Sequence, residues 1–277
     1  LKTLTLGFSP CPNDTFIFHA LVHGLVDCPG IAFAERLEDV ETLNRLALDE
    51  VLDIAKVSFH LLGHIRDNYV LLRSGGAMGR GCGPLVVSAR FTDMDQLKGR
   101  RIAVPGRHTT AGLLLRLFDP HLDNIVHIPF HEIMGAIARG EVDAGVIIHE
   151  SRFTYQEAGL FSLLDLGEWW ERETGHPIPL GGIVARRSLG KEVVLAIESA
   201  LRASVAYALA HPAEANGYIR AHSQEMSDEV CAAHVNLYVN DFSLDLGDEG
   251  EAAVNALLSR AEAVGLVPRS TRSLFSS

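Results

Sequence analysis

Residues 101–118 read RIAVPGRHTTAGLLLRLF, and this stretch decides the fold. Arg101–Val104 is a short apolar strand. Pro105–Thr110 is a turn with a glycine and two hydroxyls, and Ala111–Phe118 is a helix with leucines recurring on one side. A strand that passes through a short polar turn into a helix is half of a βαβ unit. The same rhythm continues downstream with strand Ile125–Ile128, helix Glu132–Arg139 and strand Ala144–Ile148. Upstream, Leu4–Phe8, Ile31–Glu35, Asp53–Val57, Tyr69–Leu72 and Leu85–Ser88 read as strands, and Asp14–Gly24 and Val40–Leu48 as helices. Such alternation predicts an α/β fold of parallel sheets with helices on their faces.

Beyond Gly182 the rhythm changes. Ile183–Ala185 reads as one more strand, and Lys191–Leu209, Ala213–His222, Asp228–Tyr238 and Glu251–Val264 are helical by period. Neither a linker nor an internal repeat divides the chain. Extended pieces near Val86–Arg90 and Ile183–Arg186 mark two chain crossings. They predict two lobes, a larger one of residues 1–88 plus 186–277 and a smaller one of residues 89–185. The run Gly75-Gly76-Ala77-Met78-Gly79-Arg80-Gly81 lacks a following helix, reads as a flexible loop and does not match a dinucleotide fingerprint.

The chain has 277 residues, 47% of them hydrophobic, which is ample for a core. A formal net charge of -11 argues against nucleic acid or an anionic membrane surface as partner. No apolar run approaches the roughly 20 residues of a membrane helix, so membrane insertion is not expected. Leu1–Phe8 reads as a strand entering a fold and not as a secretory h-region. Four cysteines, Cys11, Cys28, Cys82 and Cys231, lack C-x-x-C spacing. Reduced thiols in a cytoplasm are the simpler reading than a zinc site or disulfide framework. No feature sets an oligomeric state.

Four loops follow strands and precede helices: Ser9–Asp14, Lys56–Phe59, Pro105–Thr110 and His149–Arg152. In open α/β sheets, ligands bind beyond the carboxyl ends of the strands, where helix N-termini offer N–H groups to an anion. A small carboxylated substrate is the expected partner. Ser9-Pro10-Cys11-Pro12-Asn13-Asp14-Thr15 is a stiff turn with Asn13 or Asp14 as a helix cap. Cys11 has no basic neighbour in sequence to make it a nucleophile. Lys56 ends a buried strand and either counters a carboxylate or snorkels to the surface. The Gly106–Ala111 turn is not a P-loop and suits a carboxylate better than a phosphate. His149 directly follows an apolar strand, where an imidazole suits general-base work. Glu150 either orients it or is a helix-start charge. His60 and His64 share i, i+4 spacing without a third ligand, so no metal is expected.

The runs Ser9–Phe16, Lys56-Val57-Ser58, Pro105–Ala111, Gly145–Glu150 and Pro179-Leu180-Gly181-Gly182 together resemble the 1,4-dihydroxy-6-naphthoate synthases of the futalosine route to menaquinone. The likeness extends in order to about residue 187, and the S-P-C-P-N-D-T-F opening is its most specific part. The resemblance implies a type II periplasmic-binding-protein-like fold of two lobes with an interlobe cleft. It implies cleavage of cyclic dehypoxanthinyl futalosine to the naphthoate, with release of the ribose-derived fragment and without metal or organic cofactor. It further implies His149 as the proton acceptor, and substrate contacts from Lys56, Val57, Ser58, Thr109, Thr110 and Ala111. Two rival readings share the fold: a non-catalytic solute-binding protein and the sister chorismate dehydratase. The Ser9–Phe16 loop and His149 favour the synthase.

Overall fold

The computed structural model describes residues 1–223 and 227–275. Strand β1 (Lys2–Phe8) leads into helix α1 (Pro12–Val22), then β2 (Ile31–Leu37), α2 (Val40–Leu48), β3 (Ile54–Ser58), α3 (Phe59–Ile65), β4 (Tyr69–Leu71) and β5 (Ala77–Gly79). A second run gives β6 (Leu85–Ser88), β7 (Ile102–Val104), α4 (Thr110–Phe118), β8 (Ile125–His127), α5 (Ile133–Ala138) and β9 (Ala144–Ile147). It continues with α6 (Ser151–Thr154), β10 (Phe161–Asp165) and α7 (Leu166–Thr174). Then come β11 (Ile178–Arg186), α8 (Lys191–Ala210), α9 (Asn216–His222), α10 (Asp228–Tyr238), α11 (Asp241–Leu244) and α12 (Gly247–Ala263).

The strands form two sheets. The first has the order β2-β1-β3-β11-β4, with β5 also on β11, and the second β10-β6-β9-β7-β8. Parallel pairing holds where the βα rhythm predicts it, between β1 and both β2 and β3, and between β7 and both β8 and β9. The sheets are nevertheless mixed. β11 runs antiparallel to β3, β4 and β5, and β6 runs antiparallel to β9 and β10. These are the strands that arrive from the other sheet. Neither is joined through a helix to a preceding strand of its own sheet, the connection that parallel pairing needs and antiparallel pairing does not.

Sheet membership puts all of Leu85–Ser88 in the second sheet and all of Ile178–Arg186 in the first. The division by sheets therefore falls near residues 80–84 and 175–177, ahead of the expected 88/89 and 185/186. Nor is Gly75–Gly81 a loose loop: Ala77–Gly79 is buried and pairs with β11. Its glycines hid a strand that backbone pairing, not side-chain pattern, defines. α3 begins where a helix was expected after Lys56–Phe59, whereas α7 was not read from the sequence.

Apolar burial ties the layers together. One cluster joins Phe8, Phe18 and Ile54 of the first sheet and α1 to Ile197, Leu201 and Val205 of α8. Another fills the space between the sheets with Val57, Phe59, Ile102, Leu114, Trp170, Val184 and Leu257. A third covers the far face of the second sheet with Ile133 and Ile137 of α5. α8, twenty residues long, is by length and composition apolar enough to cross a membrane, contrary to the expectation that no apolar run approaches that length. Its stripe Val194, Ile197, Leu201, Val205 and Ala208 is buried in the core, and Ser204 Oγ donates to Ile17 O at 2.6 Å.

The first crossing packs against the start of α7. A Cβ added to Gly83 would lie 2.3 Å from Cα and N of Gly167. Arg152 holds this junction by donating to Gly83 O at 2.6 Å and to Asp165 Oδ2 at 2.7 Å. Gly83→Ala is therefore expected to destabilise the fold by about 1–3 kcal/mol through overpacking, read as a lower denaturation midpoint; an unchanged midpoint would contradict the close approach.

Between the sheets, His60 and His64 of α3 meet His108 of the turn before α4, with ring centroids 5.1 to 5.8 Å apart. Among the described residues, no three His, Cys, Asp or Glu side chains come together as a metal site requires. Burial lowers all three pKa values, that of His60 to about 4. Below the ordinary pKa of about 6.5 the unfolded chain binds protons that the folded one does not. Stability should thus be full above pH 6.5 and fall as the pH drops from there towards about 4. Urea unfolding at pH 7 and pH 5 checks this, with the lower midpoint expected at pH 5.

Candidate active site

The four strand-end loops converge on the cleft between the sheets. Lys56, Val57, Ser58, Thr109, Thr110, Ala111 and His149 all line one inner cavity, whose other walls include Ala77, Pro84, Ile148 and Leu180. It opens beside an outer chamber of about 800 Å³ lined by Glu38, Asp39, Glu41, Arg45, Arg107 and His131 among others. Ser9, Val40 and His149 belong to both linings. The inner cavity is mostly apolar, the outer chamber sets Glu38, Asp39, Glu41, Arg45 and Arg107 among apolar walls, and His149 stands where the two meet.

At the floor, Lys56 neither snorkels nor waits with a free charge. Its Nζ lies 2.5 Å from Asp14 Oδ1, with the two side chains 8% and 2% exposed. Burying two charges is costly unless further hydrogen bonds complete them. Asp14 accordingly accepts from Asn13 Nδ2 at 2.9 Å, from Ser9 N at 3.1 Å and from Ser9 Oγ at 2.7 Å. Asp14 thus clamps the Ser9–Asp14 loop and does not cap α1 through its side chain. Gly181 on β11 leaves room for this lysine: a Cβ there would meet Val57 O at 2.8 Å and Lys56 Cε at 3.3 Å.

Beside the ion pair lie donors for an anion. The buried Asn44 amide clamps Ser58, accepting from its N–H at 3.0 Å and donating to its Oγ at 3.0 Å. The Ser58 hydroxyl proton remains available. In the next turn both hydroxyls are spent: Thr109 Oγ1 donates to Gly106 O at 3.1 Å and accepts from Gly112 N, and Thr110 Oγ1 donates to Leu180 O at 2.6 Å. The first-turn N–H groups of Thr110 and Ala111 have no intrahelical partner and carry the positive end of α4. With both hydroxyls engaged, those N–H groups are the donors this turn offers.

His149 has φ 57°, in the left-handed region that favours glycine. Such a backbone persists only where its surroundings enforce it. The ring lies edge-on to Phe130 at 5.1 Å, parallel to His234 at 6.0 Å, and has Cys11 Sγ 3.8 Å from Nδ1. Burial lowers its pKa, with Glu150 and Asp14 opposing and Lys56 assisting, so the ring is neutral near pH 7. Among the described residues no hydrogen bond joins Glu150 to it; Glu150 stands at the start of α6. Burial pushes the Cys11 thiol up to about 12, which leaves it a neutral neighbour and no nucleophile.

Asp14, Asn44, His234 and Tyr238 are the site residues that local reading missed. Asn44 and His234 sit within amphipathic helices, where a polar residue facing inward gives no signal until its partner is known.

Comparison with known proteins places the chain in a family and a fold. A family described as menaquinone biosynthesis matches residues 4–263. A 1,4-dihydroxy-6-naphthoate synthase of Thermus thermophilus is 56% identical over 99% of this chain and 100% of its own. One of Streptomyces coelicolor is 50% identical over 96% of this chain and 95% of its own. The solved structure of an Archaeoglobus fulgidus protein, 37% identical, covers 96% of this chain and 98% of its own with a TM-score of 0.88. The periplasmic aliphatic sulphonate binding protein of Escherichia coli, 13% identical, covers 97% of this chain and 89% of its own with a TM-score of 0.66. The fold is therefore periplasmic-binding-protein-like over nearly the whole chain, and the chain belongs to the menaquinone biosynthesis family, as a relative of its synthase enzymes.

Proposed function

We propose that this protein is a carbon–carbon lyase that converts cyclic dehypoxanthinyl futalosine into 1,4-dihydroxy-6-naphthoate, with His149 as the general base. The observation that carries this reading is the position of His149, on a strained backbone, at the junction of a small apolar cavity and a larger chamber that carries acidic and basic side chains. The carboxylated ring system is assigned to the inner cavity, against Val57 and Ala111, which has to widen from about 80 Å³ to receive it. Its carboxylate meets the Ser58 hydroxyl, the N–H groups of Thr110 and Ala111, and the remaining donors of Lys56. Thr109 supports this turn through its cap. The hydroxylated, ribose-derived part suits the outer chamber, so the bond to be broken lies beside His149.

With its ring proton on Nδ1 facing Cys11, His149 keeps the Nε2 lone pair for a substrate proton. Removing that proton, from a hydroxyl or an activated carbon, starts the cleavage, and aromatisation of the naphthalene ring draws it forward. A positioned base contributes roughly 10²–10⁴-fold. Closure of the lobes adds by excluding water and holding geometry. Proton transfer and bond cleavage of this kind call for no metal or organic cofactor.

Because the neutral imidazole is the active form and its pKa lies below 6.5, turnover should be flat above that pH and fall as acid protonates the ring. His149→Asn tests the role, since it keeps hydrogen-bonding capacity but cannot take the proton. Turnover should drop roughly two to four powers of ten with KM little changed and the acid limb lost. A folded variant with near-normal turnover would refute it, and tight binding without turnover in the parent would favour the solute-binding reading.

Ser58→Ala should act on the other arm of the site. It removes a hydrogen bond to a charged group, so KM should rise by a factor equivalent to about 1–3 kcal/mol while kcat holds. An unchanged KM would remove Ser58 from the carboxylate site.

A further inference from the structure

Tyr238 and His234, one turn apart on α10, border the inner cavity from the helical C-terminal part, which carries none of the motifs that mark the site. His234 is fully buried. Its Nε2 lies 3.0 Å from Asn13 Oδ1 across 221 residues of sequence, while its Nδ1 is buried without a hydrogen-bond partner among the described residues. The Asn13 amide has only one orientation open. Its Nδ2 donates to Asp14 Oδ1, so its Oδ1 must accept, and His234 must donate from Nε2. That fixes the tautomer and leaves the lone pair on Nδ1. Buried polar atoms without partners are rare enough to call for a reason.

The same ring stacks on His149, at 6.0 Å between centroids and 12° between planes. We propose that His234 is a positioning residue for the general base, acting as a permanently neutral imidazole that holds Asn13, and through it the Ser9–Asp14 loop, against His149. The chain of contacts runs from His234 to Asn13, to Asp14, to Lys56 and Ser9, and the loop so held puts Cys11 Sγ 3.8 Å from His149 Nδ1. The orphaned Nδ1 belongs to this role. A second hydrogen-bond partner there, such as a carboxylate, would favour the protonated ring and put a positive charge beside His149. Burial, His149 and Lys56 all hold the pKa of His234 well below the ordinary value. The charged and titratable groups around His149 are then Glu150 on its own loop, Asp14 and Cys11 at α1, Lys56 on β3, Asp39 before α2, and this uncharged His234.

This inference rests on the assignment of His149 as base, and its test separates the two. Glutamine reproduces the Nε2 donor of histidine, whereas leucine fills the space without it. In His234→Leu, kcat should fall about 10- to 100-fold with KM within about threefold, because an interaction realised in the transition state is lost. The pKa of His149, read by NMR titration of labelled histidines, should rise towards 6.5 as the loop loosens and the ring gains solvent. His234→Gln should restore both kcat and the titration. Asn13→Leu breaks the same bond from the other side and should repeat the leucine phenotype, which keeps the test open if His234→Leu does not fold. A His149 titration unmoved in His234→Leu, or a His234→Gln as impaired as His234→Leu, would overturn the proposal. If the parent makes no naphthoate, the assignment of reaction fails, while the titration still reports whether His234 positions His149.

Discussion

The buried ion pair between Lys56 and Asp14 is the constraint on which the site depends. It joins the middle of the central strand β3 to the first turn of α1, at the floor of the cleft, where water does not screen it. Such a pair is stable only if its remaining hydrogen-bonding capacity is met. The demand is met by Ser9, through backbone and hydroxyl, and by Asn13. Satisfying one carboxylate therefore fixes the conformation of the whole Ser9–Asp14 loop. Cys11 and the neighbourhood of His149 are set by the same requirement.

The fold supplies the rest of the geometry. β3 and β9 belong to different sheets, yet their carboxyl ends face the same cleft, with the start of α4 between them. The shared apolar cluster of α3, α4, α7 and α12 holds the sheets in this relation. Polar contacts across the cleft are directional and few. Glu41 accepts from Arg107 N at 2.9 Å, Asn44 reaches His108 O at 3.5 Å, and Thr110 reaches Leu180 O at 2.6 Å. A cleft that must admit a substrate and then exclude water is well served by a dry core beneath and a small number of breakable bonds above.

Much of this was legible in the chain. Strand-end loops are local, and a strand, a short turn and a helix start lie within a dozen residues, so the loops of the site could be read directly. The seven residues expected at the site do share one cavity. What escaped were pairings set by distance along the chain. Nothing near Lys56 announces Asp14, 42 residues earlier, and nothing near Asn13 announces His234. The Thr110 hydroxyl is likewise consumed by a distant partner, the carbonyl of Leu180 on β11 of the first sheet. β5 was missed because its glycines carry no pattern, and the antiparallel strands because parallel order is the ordinary consequence of βα alternation.

The proposed reaction asks the cleft, the ion pair and His149 to act together on one substrate. The direct test is to incubate the purified protein with cyclic dehypoxanthinyl futalosine and follow the mixture by mass, with chorismate in a parallel reaction. The account predicts 1,4-dihydroxy-6-naphthoate accumulating in many-fold excess over the protein, and no change in chorismate. Substrate recovered intact, or chorismate consumed instead, would contradict it.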